Sequence, residues 1–312
     1  MTAKVFIDGE AGTTGLQIHA RLAARADIEL IRLDDVSRKD HAARRDALHT
    51  ADIAVLCLPD AAACEAVTLL GNAPTRLIDA STAHRVDPTW TYGFPEMTKG
   101  QAGRITEARF VTNPGCYPTG AIALIRPLRE AGLLPADHPL SINALSGYTG
   151  GGKAMIAAFE GDASPAGFVY ATDQTHKHLP EMAHYAMLDD APIFVPSVGR
   201  FAQGMIVQVP LHLAHLPGAP SLSALYEVLA AHYEAAEFIE VAPMTDEQGQ
   251  IDPEALNGTN MLRLHVLGNA ANGQAVLAAV LDNLGKGASG AAVQNLNLML
   301  GLPPDRGLER TA

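Results

Sequence analysis

The sequence is poor in cysteine, has fewer basic than acidic residues and contains no long apolar run. Its three cysteines, Cys57, Cys64 and Cys116, are an odd number without metal-ligand spacing, which argues against a disulfide framework or a zinc site. No apolar run approaches the roughly 20 residues that cross a bilayer, and residues 1–10 turn acidic before a signal-peptide core could form. We therefore expect a cytoplasmic protein with reduced thiols and no membrane partner.

The deficit of positive charge excludes a second class of partner. The chain has 22 Lys and Arg against 34 Asp and Glu, which gives a net charge of −12, and no basic stripe is present. Nucleic acid is therefore not an expected ligand. What is present is typical of a globular protein: 312 residues, 48% hydrophobic, without tandem repeats and long enough for two domains.

The first residues predict a dinucleotide-binding βαβ unit. A short strand at residues 4–8 is followed by a glycine-rich turn and a helical pattern through residue 25. The glycines are spaced G-x-x-G-x-x-G rather than G-x-G-x-x-G, so a turn without a ligand is the alternative. In the cofactor reading Gly12 lets a pyrophosphate approach the backbone, and Gly15 lets the helix pack on the sheet. The predicted cofactor-binding residues of this turn are Gly9, Gly12, Thr13, Thr14 and Gly15.

The second predicted strand, residues 28–33, bears on the choice of cofactor. Two acids, Asp34 and Asp35, follow it directly, and Ser37, Arg38 and Lys39 come next. An acid at this place holds a free ribose 2′-hydroxyl, whereas an arginine accommodates a 2′-phosphate. The basic residues favour NADP(H), with Ser37 and Arg38 as cofactor ligands; a solvated charged loop is the alternative.

Further strands and helices alternate up to residue 115, as in a doubly wound α/β domain. Residues 52–59 and 77–80 are predicted strands. The loop after the second of these carries Ser81, which borders the cofactor cleft because ligands bind at the carboxyl ends of parallel strands. Cys57 and Cys64 fall in a strand and in the next helix, and both are predicted to be core residues.

Residues 110–120 read as a strand, a sharp turn and the start of a helix, with Cys116 at that start. The positive end of a helix dipole lowers the pKa of a thiol, which favours a nucleophilic cysteine. A small buried hydrophobe is the equally weighted alternative. Pro127 is expected to kink or end the helix.

The remainder predicts an α+β domain on a largely antiparallel sheet, because strands at 140–146, 205–213, 261–266 and 274–281 have few helices between them. Residues 147–153 form a glycine loop with one lysine, which suits an anionic group or a mobile lid. Within residues 282–295, a loop with spaced small residues leads into a helix at 291–300, and the start of that helix suits a cofactor or a carboxamide group. The helix is expected to pack back on the nucleotide domain.

His176, His178 and Glu181 lie within six residues of one another. An HxH pair can bind a metal, but no third ligand with suitable spacing stands out. A histidine and a glutamate that serve a thiol by proton transfer are the more economical interpretation, and no metal is predicted.

Together these stretches resemble the N-acetyl-gamma-glutamyl-phosphate reductases, in their shorter variety, within the semialdehyde dehydrogenase superfamily. The matching motifs cover nearly the whole chain: GEAGTTG (9–15), IDASTAHRV (78–86), YGFPE (92–96), TNPGCYPTG (112–120), SGYTGGGK (146–153), HKHLPE (176–181), GRFAQGM (199–205) and DNLGKGASGAAVQNLN (282–297). The resemblance implies reduction of an acyl phosphate to an aldehyde by NADP(H), through a thioester on Cys116, in arginine biosynthesis.

The resemblance also implies roles for individual residues. His178 moves protons and Glu181 orients it, with His176 as the alternative acid/base. The acyl phosphate substrate is held by Arg85, Gly147, Lys153, His176 and Lys177. Asn283, Lys286 and Gly287 join the cofactor ligands of the N-terminal region.

The expected organisation is a Rossmann-type NADP-binding domain plus an α+β catalytic domain. Residues 1–115 and 285–312 form the first, including the returning C-terminal helix; residues 116–284 form the catalytic, substrate and oligomerisation domain, in a homodimer or homotetramer. A reductase of an aspartyl or carrier-linked amino-acid phosphate is the first alternative function. An NADPH-binding sensor without chemistry is the second.

Overall fold

The computed structural model describes residues 2–244 and 249–311, and the chain divides into two compact units. The first unit contains residues 1–95, 99–115 and 288–308, and the second contains residues 96–98, 116–287 and 309–312. The chain passes from the first unit to the second between Gly115 and Cys116.

The first unit is built on a parallel sheet with the strand order β2-β1-β3-β4-β6-β5. Its strands are β1 (Ala3–Asp8), β2 (Ile28–Ile31), β3 (Ile53–Leu56), β4 (Arg76–Asp79), β5 (Thr91–Tyr92) and β6 (Phe110–Thr112). Its first helices are α1 (Thr13–Leu22), α2 (His41–Thr50), α3 (Asp60–Leu70) and α4 (Gln101–Glu107). The predicted doubly wound α/β arrangement is confirmed.

The glycine turn lies where the strand order reverses, between β1 and β3. Gly9 has a φ of +89°, and a Cβ there would lie 2.3 Å from the Cys57 carbonyl oxygen. A Cβ on Gly15 would lie 2.5 Å from the Gly9 carbonyl oxygen. Side chains are therefore excluded from both positions, which brings the turn close to the carboxyl end of β3 at the point where such sheets bind ligands.

The second unit is built on a mixed sheet with the order β11-β12-β13-β10-β7-β9-β8. Among the described strands of this sheet, only the pairs β11–β12 and β7–β9 are parallel, so the predicted largely antiparallel sheet is confirmed. Its strands are β7 (Ser141–Gly147), β8 (Gly167–Val169), β9 (Ile193–Gly199), β10 (Met205–His212), β11 (Ile239–Val241), β12 (Leu262–Asn269) and β13 (Gln274–Leu281). Its helices are α5 (Cys116–Glu130), α6 (Gly152–Glu160), α7 (Leu179–Tyr185) and α8 (Leu222–Tyr233).

Helix α5 continues through Pro127, so the helix does not end at this proline, which was one of the two predicted outcomes. Proline has no N–H to donate to the carbonyl four residues earlier, which is that of Ala123. The hydroxyl of Tyr233 donates to this carbonyl at 3.0 Å and replaces the missing hydrogen bond. Helix α5 also packs closely on its sheet, since a Cβ on Gly120 would lie 2.9 Å from Cγ2 of Val207.

The boundary near residue 285 lies later than predicted. A π turn, Gly285–Ser289, leads into α9 (Gly290–Met299), which packs on α1, α4 and β4 of the first unit. Gly285 to Gly287, however, belong to the second unit, where the Lys286 ammonium lies 2.7 Å from Oε1 of Glu96. Residues from 309 onward also belong there, because the carbonyl of Glu309 accepts a hydrogen bond from Asn260 N–H.

The two cysteines outside α5 have different environments. Cys57 is half-buried, and burial raises the pKa of its thiol to about 12. Cys64 is exposed on α3, so its predicted place in the core is wrong. The helix turns Cys64 outward while Ala63 and Ala66 face the core.

Within residues 2–244 and 249–311, no helix combines the length and the apolar character that a bilayer crossing requires.

Candidate active site

Cys116 is the first residue of α5 and directly follows the turn after β6. The residue is half-buried. The backbone of Gly287 lies against it, since a Cβ on Gly287 would be 2.8 Å from the Cys116 Cβ. The thiol therefore sits at the positive end of a 15-residue helix, an environment that stabilises negative charge on sulfur.

The two histidines of the 174–181 stretch pack around the neighbour of this cysteine. The ring of Tyr117 lies 6.0 Å from that of His176 and 5.9 Å from that of His178, in edge-on contacts between ring centroids. The two histidine rings are 4.8 Å apart. The fold therefore brings Tyr117, the residue after Cys116, into one cluster of rings with His176 and His178 in the second unit.

The two histidines are not chemically equivalent. Burial and then the charge of Lys177 lower the pKa of His176 to about 4. Its Nδ1 accepts the backbone N–H of His178 at 3.1 Å. His176 is thus a neutral imidazole at pH 7 with one nitrogen already engaged. His178 directly precedes α7, is 6% exposed, and lies three residues before Glu181, whose carboxylate is buried in the first turn of that helix.

The lowered pKa of His176 predicts a pH dependence of stability. In the folded chain the imidazole stays neutral down to about pH 4, whereas in the unfolded chain it takes up a proton below about pH 6.5. The unfolded state binds more protons in this window, so the free energy of unfolding should fall as pH is lowered from 6.5 towards 4. Urea unfolding at pH 7 and pH 5 measures the loss, and His176→Gln should lose less. Equal losses in both proteins would contradict the prediction.

The glycine loop predicted to bind an anion or act as a lid is held in place by the loop between β9 and β10. The Gly147 N–H donates to the Gly204 carbonyl at 2.9 Å, and the Thr149 hydroxyl donates to the Ala202 carbonyl at 2.5 Å. A Cβ on Gly147 would lie 2.6 Å from the Ala202 carbonyl oxygen, so glycine is required there. The loop forms a 3-10 turn that leads into α6, where Lys153 is exposed.

Both polar atoms of the Asn283 side chain form hydrogen bonds inside the second unit. Its Oδ1 accepts the Gly204 N–H at 2.7 Å, and its Nδ2 donates to the Thr149 hydroxyl at 3.1 Å. The residue is 1% exposed. The Asn283 amide therefore links the two loops, and its predicted contact with the cofactor stays a prediction.

Lys286 is likewise not a surface cation. It is 1% exposed and pairs with Glu96 at 2.7 Å, with its ammonium 5.4 Å from the centre of the Phe238 ring. Burial lowers the pKa of this ammonium, and the Glu96 carboxylate opposes the shift. The side chain is thus engaged within the second unit, and the role of Lys286 as a cofactor-binding residue stays a prediction. Gly287 has no side chain to offer, and its backbone contacts Cys116.

The first unit carries a cleft of about 690 Å³ beside the glycine turn. Among the residues that line it are Gly9, Arg32, Arg38 and Lys39. Thr13 and Thr14 begin α1, whose N-cap is Gly12 without a side-chain cap, so N–H groups of the helix start are presented to a ligand. A glycine cradle, a helix N-terminus and a basic rim fit the pyrophosphate and phosphate groups of a dinucleotide.

The two acidic residues after β2, Asp34 and Asp35, already interact with neighbouring groups of the chain. Oδ1 of Asp34 accepts the N–H groups of Val36 and Ser37 at 3.1 and 2.7 Å, so this carboxylate shapes the turn. Asp35 lines the cleft and lies 3.1 Å from the Arg38 guanidinium. Ser37 takes part in the turn through its N–H.

Two other predicted ligands lie in the loop after β4 of the same unit. The Ser81 hydroxyl donates to the Asp79 carboxylate at 2.8 Å, so it is committed within its own loop. The Arg85 guanidinium is buried and donates to the Ala80 carbonyl at 3.1 Å. Lys177 is exposed in the second unit.

Sequence reasoning missed a second tyrosine of the cysteine cluster. The Tyr170 hydroxyl donates to the Tyr117 hydroxyl at 3.1 Å, and its ring lies 5.6 Å from that of His176. Burial raises the pKa of Tyr170 to about 12, and negative charge on Cys116 adds to the shift. No local pattern marks Tyr170; only its position six residues before His176 could have suggested it.

Among the described residues, no three His, Cys, Asp or Glu side chains are grouped to hold a metal.

Comparison with known proteins decides the family. A model described as "Semialdehyde dehydrogenase, NAD binding domain" matches residues 4–104, and one described as "Semialdehyde dehydrogenase, dimerisation domain" matches residues 116–283. N-acetyl-gamma-glutamyl-phosphate reductases of Brucella anthropi and Brucella suis are each 57% identical over 309 residues, across 96% of this chain and 99% and 100% of their own. The chain belongs to the semialdehyde dehydrogenase family, in the branch of these reductases. The predicted resemblance and the predicted oxidoreductase class are confirmed.

Solved structures agree at the level of the fold. Aspartate semialdehyde dehydrogenase II of Vibrio cholerae, in a complex with ASA, has a TM-score of 0.71 at 16% identity and covers 96% of this chain and 99% of its own. Aspartate semialdehyde dehydrogenase of Candida albicans, solved with NADP, has a TM-score of 0.67 at 13% identity over 96% and 99% of the chains. At such identities the likeness establishes the shared family fold alone.

Proposed function

We propose that this chain reduces N-acetyl-gamma-glutamyl phosphate to N-acetylglutamate semialdehyde, with release of phosphate, as a step of arginine biosynthesis. The observation that carries the proposal is Cys116 at the start of α5, with the His178 ring packed against the adjacent Tyr117. The 57% identity to reductases that carry this substrate in their name supports the choice of acyl phosphate.

The first step forms a thioester. His178 accepts the proton of the Cys116 thiol, and the thiolate attacks the γ-carbonyl carbon of the acyl phosphate. The carbon–oxygen bond to phosphate breaks, and the phosphate leaves with the bonding electrons. The positive end of the α5 dipole, at the first turn of the helix, can stabilise the carbonyl oxygen while it is negatively charged.

The second step releases the aldehyde. When bound, NADPH supplies one hydride, which brings the thioester carbon to the oxidation level of a thiohemiacetal. His178 protonates the oxygen of this adduct and takes the proton back as the carbon–sulfur bond breaks, which restores the Cys116 thiolate. We assign the buried Glu181 to orient the His178 imidazole. Its carboxylate lies in the first turn of α7, three residues after His178, and a neighbouring carboxylate stabilises a protonated imidazole ring.

The choice of His178 over His176 follows from their surroundings. A general acid must carry a proton near pH 7, and a group with a pKa of about 4 does so too rarely. We therefore assign His176 to substrate binding, together with Gly147, Lys153 and Lys177 of the second unit. The exposed ammonium groups of Lys153 and Lys177 are the candidates for the substrate's anionic groups.

NADPH is the proposed cofactor because the cleft beside the glycine turn is rimmed by Arg32, Arg38 and Lys39, while Asp34 is engaged in its own turn. Arg38→Ala should raise the KM for NADPH about tenfold or more, since a charge-assisted hydrogen bond to phosphate is lost, and should change the KM for NADH little. Steady-state kinetics with both cofactors measure this selectivity.

A matched control for that change is Arg45→Ala. Arg45 is a half-exposed arginine on α2 that pairs with Asp46 rather than lining the cleft. It should leave both KM values unchanged. If Arg38→Ala weakens NADPH and NADH equally, the 2′-phosphate is held elsewhere.

We propose that the chain works as a homodimer or homotetramer. The matched dimerisation domain spans residues 116–283, and apolar side chains are exposed on the strands of its sheet. These are Leu145, Phe168, Val169, Ile193 and Leu267. A reducing compartment, as predicted for the cytoplasm, is required by the mechanism because the Cys116 nucleophile must stay a free thiol.

The experiment that tests the reaction runs it in reverse. Purified protein is given N-acetylglutamate semialdehyde, phosphate and NADP⁺, and formation of NADPH is followed by absorbance, with Cys116→Ala beside it. Phosphate-dependent NADPH formation that disappears in the variant supports the proposal. Activity only with another semialdehyde would overturn the substrate assignment, and cofactor binding without any activity would point to a sensor.

A further inference from the structure

A cysteine, a histidine and an aspartate contact one another in succession in the first unit, and the proposed mechanism gives none of them a role. Cys64 is exposed on α3, and its Sγ lies 4.0 Å from Nε2 of His84. The other ring nitrogen of His84, Nδ1, lies 2.6 Å from Oδ2 of Asp79. Asp79 is completely buried at the end of β4.

The surroundings fix which nitrogen of His84 carries the hydrogen. Asp79 accepts from the Ser81 N–H at 2.8 Å and from the Ser81 hydroxyl at 2.8 Å, so it acts as a carboxylate acceptor. The His84 Nδ1 must then donate, which leaves the lone pair of Nε2 towards the Cys64 thiol. The ring is held flat against Trp90, with 4.3 Å between centroids.

Acidic residues also lie on the loop of His84 and on α3. On its own loop, Asp87 has its pKa lowered by hydrogen bonds from Thr89 and further by the charge of His84. On α3, the Asp60 carboxylate accepts from the N–H of Thr82 at 2.9 Å. Glu65, beside Cys64, binds Arg44 at 2.6 Å. Asp60 and Glu65 are thus engaged with other partners, and Asp79 is the carboxylate in direct contact with the imidazole.

We propose that Cys64 is a modification site that exchanges with low-molecular-weight disulfides, with His84 as its base and Asp79 as the residue that positions His84. His84 Nε2 takes the thiol proton, and the Cys64 thiolate attacks one sulfur of the disulfide. That S–S bond breaks, a mixed disulfide forms on Cys64, and the displaced thiolate leaves and takes up a proton. The disulfide is reduced as the cysteine is oxidised, and no other oxidant is needed.

The site contrasts with the other two cysteines of the chain. Cys57 has a thiol pKa of about 12 and should not react. Cys116 should react independently of His84, because its thiolate is supported by the start of α5. The three thiols therefore serve as references for one another in a single protein.

The test is treatment of the full-length protein with oxidised glutathione at pH 7, followed by digestion and mass measurement of each cysteine peptide. Cys64 should be modified much faster than Cys57, and His84→Ala should slow Cys64 about tenfold or more while leaving Cys116 unchanged. His41→Ala is the matched control, because His41 of α2 pairs with Glu65, the residue next to Cys64 on α3, rather than with Cys64 itself. An unchanged rate at Cys64 in His84→Ala overturns the proposal.

A second measurement needs no variant of His84. Trp90 is the only tryptophan, so intrinsic fluorescence reports on the ring stacked against His84. Treatment with oxidised glutathione should change the Trp90 emission in the wild type and in Cys116→Ser, but not in Cys64→Ser. The same emission change in Cys64→Ser overturns the proposal.

Discussion

Cys116→Ser should lower kcat at least about 10⁴-fold while the dissociation constant for NADPH stays within about twofold of the wild type. The serine hydroxyl is a far weaker nucleophile than a thiolate at a helix start, so the thioester does not form. The cofactor cleft is built from residues of the first unit, which this substitution does not touch. Turnover is measured in the reverse assay, and cofactor binding by fluorescence titration of NADPH.

Cys64→Ser provides the control, because it removes an exposed cysteine that contacts His84 rather than the residues around Cys116. It should keep wild-type turnover. Substantial activity in Cys116→Ser would reject the covalent mechanism, whereas loss of NADPH binding in it would show that the substitution disturbs more than the nucleophile.

His178→Gln should lower kcat by about 10²- to 10⁴-fold, because it removes the group that takes the thiol proton and returns it to the adduct. Its pH profile should lose the limb that reports this histidine. The thioester and hydride chemistry remains available, so the residual rate should exceed that of Cys116→Ser. Steady-state kinetics between pH 5 and pH 9 measure both effects.

The neighbouring His176→Gln distinguishes proton transfer from packing in the same ring cluster. With a pKa of about 4 and Nδ1 bonded to the backbone, His176 should contribute to binding, so its loss should raise KM for the acyl phosphate more than it lowers kcat. The reverse ranking of the two variants would exchange their roles. Glu181→Gln should resemble a mild form of His178→Gln if the carboxylate orients that ring.

Features that depend on neighbours in the sequence could be predicted from it. The glycine turn at residues 9–15 was identified because a strand, closely spaced glycines and a helix follow one another directly. Apolar strands alternating with helices predicted the parallel sheet, and the long strands after residue 140 predicted the second sheet. The start of α5 at Cys116 was identified from turn and helix-start residues within a few positions.

Features that depend on distant partners could not. Pro127 remains inside a helix because Tyr233, more than 100 residues later, supplies the missing hydrogen bond. Lys286 reads as a surface cation in a glycine-rich stretch, but Glu96 accompanies it into the interior. The exposed Cys64 meets His84 only because α3 and the loop after β4 lie side by side. The spacing of residues along the chain does not indicate such contacts between distant residues.

The placement of α9 has a consequence during translation. The segment 288–308 completes the first unit, although most of that unit is encoded before residue 116. While the ribosome is still making the second unit, the surfaces of α1, α4 and β4 that α9 covers have no cover. The nucleotide-binding unit therefore cannot complete its fold before the second unit, although most of it is synthesised first. Both units complete their folds late in synthesis.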